Sequence, residues 1–251
     1  DSKMAKHQVT DILTRIVRQF DVVAIQEVRT KSQDLLPHFI ELINANGAQY
    51  DFVIGPRLGR TNSKEQYAIV FDRKTIEADR QQVYTVEDPD DLLHREPMVA
   101  WFRVRGPPPN EAFTFTLVDI HTDPDEVKQE VNALADVFHA VRDDGRGEDD
   151  VIVLGDLNAS DKQLGRLGQI PHIYPAISGI PTNTRGKSQY DNIIFDQTVT
   201  KEFTGRSGVF DYMREYNLSM EEALEVSDHM PVWAEFSAYE GGDPGRFATR
   251  P

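Results

Sequence analysis

The chain contains no cysteine. That removes disulfide frameworks, thiolate zinc centres and cysteine nucleophiles together, without fixing a compartment. Long apolar runs are missing as well. Nothing approaches the ~18 consecutive apolar residues that cross a bilayer, so no membrane span is expected. Positive charge is scarce: Lys and Arg number 27 against 42 Asp and Glu, for a formal net charge of −15. A surface this acidic repels nucleic acid as a whole. Work on a polyanion would need metal ions and a few local arginines to reverse the potential at a cleft. No Gly-x-Ser-x-Gly nucleophile elbow is present. The first residue is Asp1 rather than Met, which leads us to expect a processed or trimmed N-terminus.

What is there is a globular composition: 251 residues, 39% hydrophobic and 27% charged, a length that suits one large domain or two small ones. Apolar residues at Val9, Ile12, Leu13, Ile16, Val17 and Phe20 fall on one helical face. Val22–Ile25 then reads as a buried strand, and a second helix is predicted over Leu35–Asn44. Short strands follow at Asp51–Ile54 and Tyr67–Phe71. Met98–Val104 and Phe113–Ile120 form a predicted hairpin across the turn at Pro107, Pro108 and Pro109. A helix at Glu126–Val141 leads through the charged loop Arg142–Asp150 to an all-apolar strand, Val151–Leu154. Tyr190–Phe195, a short helix near Ser219–Leu224 and Val232–Phe236 complete the pattern. Interleaved short strands and helices favour two packed sheets flanked by helices over one open parallel sheet. Residues 1–240 are expected to form a single domain, and 241–251 a frayed tail rich in Gly, Pro and charge.

The chemistry-bearing residues share one location, the ends of predicted strands. Glu27 ends the first strand and His121 ends the strand Phe113–Ile120. Asp156 and Asn158 end Val151–Leu154. Asp191 opens Tyr190–Phe195, and Asp228 with His229 precedes Val232–Phe236. Strand ends on one rim converge, and a rigid scaffold holds the loops there. Each residue also has a plainer reading. Glu27 can cap a turn, Gly155-Asp156-Leu157-Asn158 can be a turn bonded to its own backbone, and His121 can be a satisfied strand-end histidine. Those readings are independent accidents, whereas a hydrolytic site accounts for all of them at once.

The runs Gln26-Glu27-Val28-Arg29, Gly155-Asp156-Leu157-Asn158-Ala159, Tyr190-Asp191-Asn192-Ile193 and Ser227-Asp228-His229-Met230-Pro231-Val232 resemble the endonuclease/exonuclease/phosphatase superfamily. Gly55-Pro56-Arg57-Leu58-Gly59-Arg60, Lys64-Glu65-Gln66-Tyr67 and Arg95-Glu96-Pro97 look like its deoxyribonuclease I branch. The resemblance implies a four-layered α/β sandwich, two mixed β-sheets face to face with helices outside. It implies a divalent-metal-dependent phosphodiesterase, most similar to an endonuclease that cleaves DNA to leave 5′-phosphates. Glu27, Asp156, Asn158 and Asp228 would hold Mg²⁺, with Mn²⁺ as the other candidate. His121 backed by Glu65, and His229 backed by Asp191, would flank the scissile phosphate, with Asp156 and Asn158 beside them. Either His229 or Asp156 would serve as base. Arg29, Arg95 and Arg60 would meet DNA. A monomer, secreted or periplasmic, is the corresponding expectation.

Departures from the family pattern are equally specific. A groove-inserting tyrosine aligns with Ser63, and the segment Gly179–Gln189 keeps Thr182 and Thr184 but no aspartate of a calcium loop. That departure counts against structural calcium. The chain also begins where the helix after a first family strand would begin: either it is truncated or that strand lies outside this sequence, and if the strand is missing one sheet has lost a strand. Other readings are an abasic-site endonuclease, a sphingomyelinase-like or inositol-phosphate-directed enzyme, or a binding module on the same fold.

Overall fold

The computed structural model describes residues 3–62 and 64–242. Ser63, and the tail expected to fray beyond Gly242, lie outside the described residues. The elements run α1 (His7–Val17), β1 (Val22–Val28), α2 (Leu35–Asn44), β2 (Tyr50–Ile54), β3 (Gln66–Asp72), β4 (Ile76–Thr85), β5 (Met98–Val104) and β6 (Thr114–His121). They continue with α3 (Val127–Arg142), β7 (Val151–Asp156), β8 (Ile173–Pro175), β9 (Asp191–Asp196), β10 (Phe203–Val209), α4 (Tyr212–Glu215), α5 (Met220–Val226) and β11 (Val232–Phe236).

One layer is a six-stranded mixed sheet in the order β4-β5-β6-β7-β9-β8. Only β6 and β7 run parallel within it, joined by the α3 crossover. The facing layer comes in two antiparallel pieces, β1-β3-β2 and β10-β11. The layers pack because both inner faces are apolar: Ile69, Phe71 and Val53 meet Phe102, Leu117, Ile152 and Phe195. Outside the larger sheet, Leu134 and Phe138 of α3 cover Val118, Ile120 and Val153. Outside the smaller one, Val17 of α1 and Phe39, Ile40 and Ile43 of α2 cover Ala68 and Val70. Helix, sheet, sheet and helix make the four-layered α/β sandwich expected from the motifs. No helix among the described residues is long and apolar enough to cross a membrane.

Three strands escaped sequence reading, for local reasons. β4 (IEADRQQVYT) is a polar edge strand with no apolar run. β10 (FTGRSGV) carries two glycines, which lower strand propensity. β8 is three residues long. Each borrows its stability from a neighbour's ladder, a tertiary contribution invisible to periodicity.

Candidate active site

One register row organises the site. His121 is paired with Asp156 across the parallel strands β6 and β7, and Asp156 with Asp191 across the antiparallel strands β7 and β9. Residues in one row project from the same sheet face, so the three side chains stand side by side. His229 closes the row from the loop before β11: its Nδ1 lies 2.9 Å from Asp191 Oδ2 and 3.1 Å from Oδ1. That loop is fastened by Met230 N donating to Thr182 O at 2.7 Å. The Thr182 hydroxyl in turn donates to Asp191 Oδ2 at 2.5 Å, and the Tyr190 ring lies 5.5 Å from the His229 ring.

Asp156 divides its two oxygens between structure and chemistry. Oδ1 accepts the Asn158 backbone N–H at 2.9 Å, the local turn that the plain reading of this motif anticipates. Oδ2 faces inward, 3.6 Å from His121 Nε2 and 3.8 Å from His229 Nε2. Asn158 holds the turn in the left-handed region at φ +47°, and its Nδ2 donates to Thr122 O at 2.9 Å. Gly155 is required just before it. At φ +132°, a Cβ there would sit 2.0 Å from the Ile120 carbonyl oxygen.

His121 is tied from below. Its Nδ1 lies 2.7 Å from Glu65 Oε1, and its backbone N–H donates to the Tyr67 hydroxyl at 3.0 Å. Burial raises the Glu65 carboxyl, but the His121 hydrogen bond and the charges of His121, Arg95 and Arg29 outweigh it and hold the group below its ordinary value. Burial opposes charge on His121 too; the bond to Glu65, its charge and that of Asp156 prevail, and the imidazole is raised. For His229 burial again loses, to Asp191, Asp156 and Asp228, and the imidazole is carried up to about 9. Asp156 is raised by burial first and by Asp191 second, against the pull of both histidines. The result is two imidazole rings of raised proton affinity arranged around one carboxylate oxygen.

Glu27 reaches this centre through a β-bulge. The ladder between β1 and β3 shifts register between Ile25 and Val28, and Glu27 takes φ +61°. That conformation is unfavourable for a residue bearing a Cβ and typical of functional bulges. Oxygen or nitrogen donors of Glu27, Glu65 and His121 lie within 4.8 Å of one another, as do those of Asp156, Asp191 and His229. Glu65 Oε2 is buried with no hydrogen-bond partner. Hard carboxylate oxygens with one orphaned acceptor are a donor set suited to Mg²⁺ or Mn²⁺. Asp228, an expected ligand, is exposed and joins neither group; it acts on His229 through its charge.

The three expected DNA-facing arginines part company. Arg29 is exposed, its Nη2 2.6 Å from Glu27 Oε1. Arg95 is instead buried at 5% exposure, with Nε 3.1 Å from His121 O and 3.4 Å from Glu65 Oε1. Its guanidinium braces the histidine from inside and presents no surface to a polymer. Arg60 is paired with Asp91 at 2.9 Å and Glu126 at 2.6 Å.

Some contributors escaped the sequence reading. Arg57 bonds the carbonyls of Arg29, Thr30 and Lys64, at 2.6 Å for the last, clasping the loop after β1 to the one before β3. Its place in the run Gly55-Pro56-Arg57-Leu58-Gly59-Arg60 was its only signal. Gln26 donates to the fully buried Asp119 at 2.5 Å, and burial pushes Asp119 up to about 7. Nothing in a strand pattern marks that pair.

With this geometry in place, comparison with known proteins is decisive for the family. The model of the endonuclease/exonuclease/phosphatase family matches residues 1–229. The chain belongs to that family. Deoxyribonuclease gamma of Rattus norvegicus is 34% identical, over 92% of this chain and 79% of its own length. Deoxyribonuclease-1-like 1 of Bos taurus is 32% identical, over 99% and 81%. A functionally unknown conserved protein from Enterococcus faecalis V583 superposes with a TM-score of 0.63 at 15% identity, covering 92% of this chain and 91% of that one. A humanised D. rerio TDP2 gives 0.59 at 14%, covering 92% and 91%. These last two share the fold. As a member of its family, the chain is a hydrolase of phosphate esters.

Proposed function

We propose that this family member is a divalent-metal-dependent endonuclease that hydrolyses DNA phosphodiesters and leaves 5′-phosphates. The observation that carries the reading is the row His121–Asp156–Asp191 with His229 at its end. It sets two imidazoles of raised proton affinity and one carboxylate oxygen where a phosphate and an attacking water need them. The similarity to proteins named deoxyribonucleases, and the exposed Arg29 beside Glu27, support DNA as the polymer.

Glu27, with Asp156 and the side-chain oxygen of Asn158, would hold Mg²⁺ or Mn²⁺, which neutralises charge on the phosphoryl oxygens when bound. Asp156 Oδ2 accepts a proton from the attacking water. The His229 imidazolium, fixed by Asp191, orients that water and offsets charge on the phosphate. The His121 imidazolium, fixed by Glu65 and Arg95, passes its Nε2 proton to the departing 3′ oxygen as the phosphorus–oxygen bond breaks. Of the two candidate bases, Asp156 is favoured because His229, at about 9, already carries its proton near neutrality. The purified chain with Mg²⁺ should nick plasmid, and EDTA should abolish the nicking. Turnover of an abasic oligonucleotide, sphingomyelin or an inositol phosphate in preference to plasmid would overturn the substrate assignment.

A further inference from the structure

Far from the histidines, at the opposite end of the same sheet, three more carboxylates converge. Asp150 immediately precedes β7, Glu202 precedes β10, and Glu240 follows β11. Asp150 and Asp156 bracket β7, so about 20 Å separates the two ends at the ~3.3 Å rise of a strand residue. One oxygen from each of Asp150, Glu202 and Glu240 lies within 4.8 Å of the others.

Backbone contacts fix these side chains without using them up. Glu202 Oε1 accepts from Gly241 N at 2.5 Å, and Glu240 Oε2 accepts from Thr114 N at 3.2 Å. Asp150 and Glu202 are only 2% and 1% exposed, yet Asp150 Oδ1 and Glu202 Oε2 have no hydrogen-bond partner. A buried carboxylate oxygen without a partner costs free energy and calls for a bound proton, water or ion. The charges that weigh most on Asp150 are those of Glu202, Glu240 and Glu148, all of its own sign, while Lys201 also lines the cleft beside them. Burial and these neighbours push it up to about 8. A cleft of about 340 Å³ opens onto the cluster and admits solvent.

We propose that Asp150, Glu202 and Glu240 bind a hard divalent cation of the calcium type, a second metal site separate from the catalytic one. Two oxygens on opposite sides of a calcium ion lie about 4.8 Å apart, because its bonds are near 2.4 Å. Calcium also accepts irregular sets of six to eight oxygens, which three carboxylates and waters from the cleft would supply. The ion links the start of β7 in the large sheet to the start of β10 and the chain beyond β11. It staples the two sheets together at the end away from the histidines. The competing arrangement is protons shared among the three carboxyls.

The chain has two tryptophans, and Trp101 Nε1 bonds Glu148 Oε2 at 2.9 Å, beside the cluster. Terbium bound there should show tryptophan-sensitised luminescence, displaced by calcium, lost in Trp101→Phe and retained in Glu27→Gln. Asp150→Asn with Glu202→Gln should weaken terbium binding by about tenfold or more. In the Glu27→Gln background, calcium should raise the melting temperature over its value in EDTA, and leave it unchanged once Asp150→Asn and Glu202→Gln are added. The amides remove like-charge repulsion, so the double variant should be as stable in EDTA as the wild type. Glu240→Gln, at the exposed rim, repeats the test should the double variant not fold. Absent luminescence, or a calcium response that survives these substitutions, overturns the site and leaves shared protons.

Discussion

Asp156 and Asp191 stand directly opposite one another on antiparallel strands β7 and β9. Like charges in that position repel. Each is relieved by histidine: Asp191 by His229 Nδ1 at 2.9 Å, Asp156 by His121 Nε2 at 3.6 Å and His229 Nε2 at 3.8 Å. The pair raises the proton affinity of His229, and Asp156 adds to the larger effect of Glu65 on His121.

Asp191→Asn keeps the shape and removes one charge. The His229 imidazole should then titrate well below about 9, which NMR of its ring protons reads directly. Turnover should fall by about 10²-fold or more, since the imidazole loses both its orientation and its charge. A His229 titration unchanged by this substitution would detach Asp191 from it.

His121→Ala tests the acid. If His121 protonates the leaving oxygen, the variant should lose about 10²–10⁴-fold on DNA. It should lose far less on a p-nitrophenyl phosphodiester, whose leaving group needs no proton. His229→Ala should be impaired on both. Equal losses for His121→Ala on the two substrates would count against this division of roles.

Stability of the metal-free protein should depend on pH through His229. Its folded value of about 9 exceeds the ordinary 6.5, so folding tightens its hold on the proton. The stabilisation is complete below pH 6.5 and is lost as pH rises through 9. Melting temperatures in EDTA should therefore decline across that window, and decline less in His229→Gln. An identical decline in the variant would assign the effect elsewhere.

Gly155→Ala should destabilise by about 3 kcal/mol or more. The new Cβ would lie 2.0 Å from the Ile120 carbonyl oxygen in a backbone held at φ +132°. Denaturant unfolding measures it, and a wild-type midpoint would show that the strand can shift.

Arg29, Lys31 and Lys64 are exposed on the two loops that Arg57 clasps, a local positive rim on an acidic protein. Charge reversal at Lys31 and Lys64 should weaken DNA binding and flatten its salt dependence by about 0.9 for each phosphate no longer neutralised. An unchanged slope would place the polymer elsewhere.

Much of this site was readable because strand ends announce themselves. The apolar run Val151–Leu154 followed by Gly155-Asp156-Leu157-Asn158 locates a rim and its carboxylate without coordinates. Arg95 shows where such reading stops: a charged residue in a matched motif gives no sign of which way it turns, and burial against His121 and Glu65 decided it. Asp228 was expected among the ligands from the family resemblance, and the turn before β11 leaves it exposed.

By itself the sequence determined the alternation of strand and helix, the sandwich class and the residues at the strand ends, because periodicity and turn chemistry are local properties. Only the tertiary structure decided which of those residues share a register row, how the β1 bulge carries Glu27 to His121, and that Asp150, Glu202 and Glu240 meet. Pairing across strands and charge burial depend on neighbours remote in sequence, and those neighbours exist only once the sheets have packed.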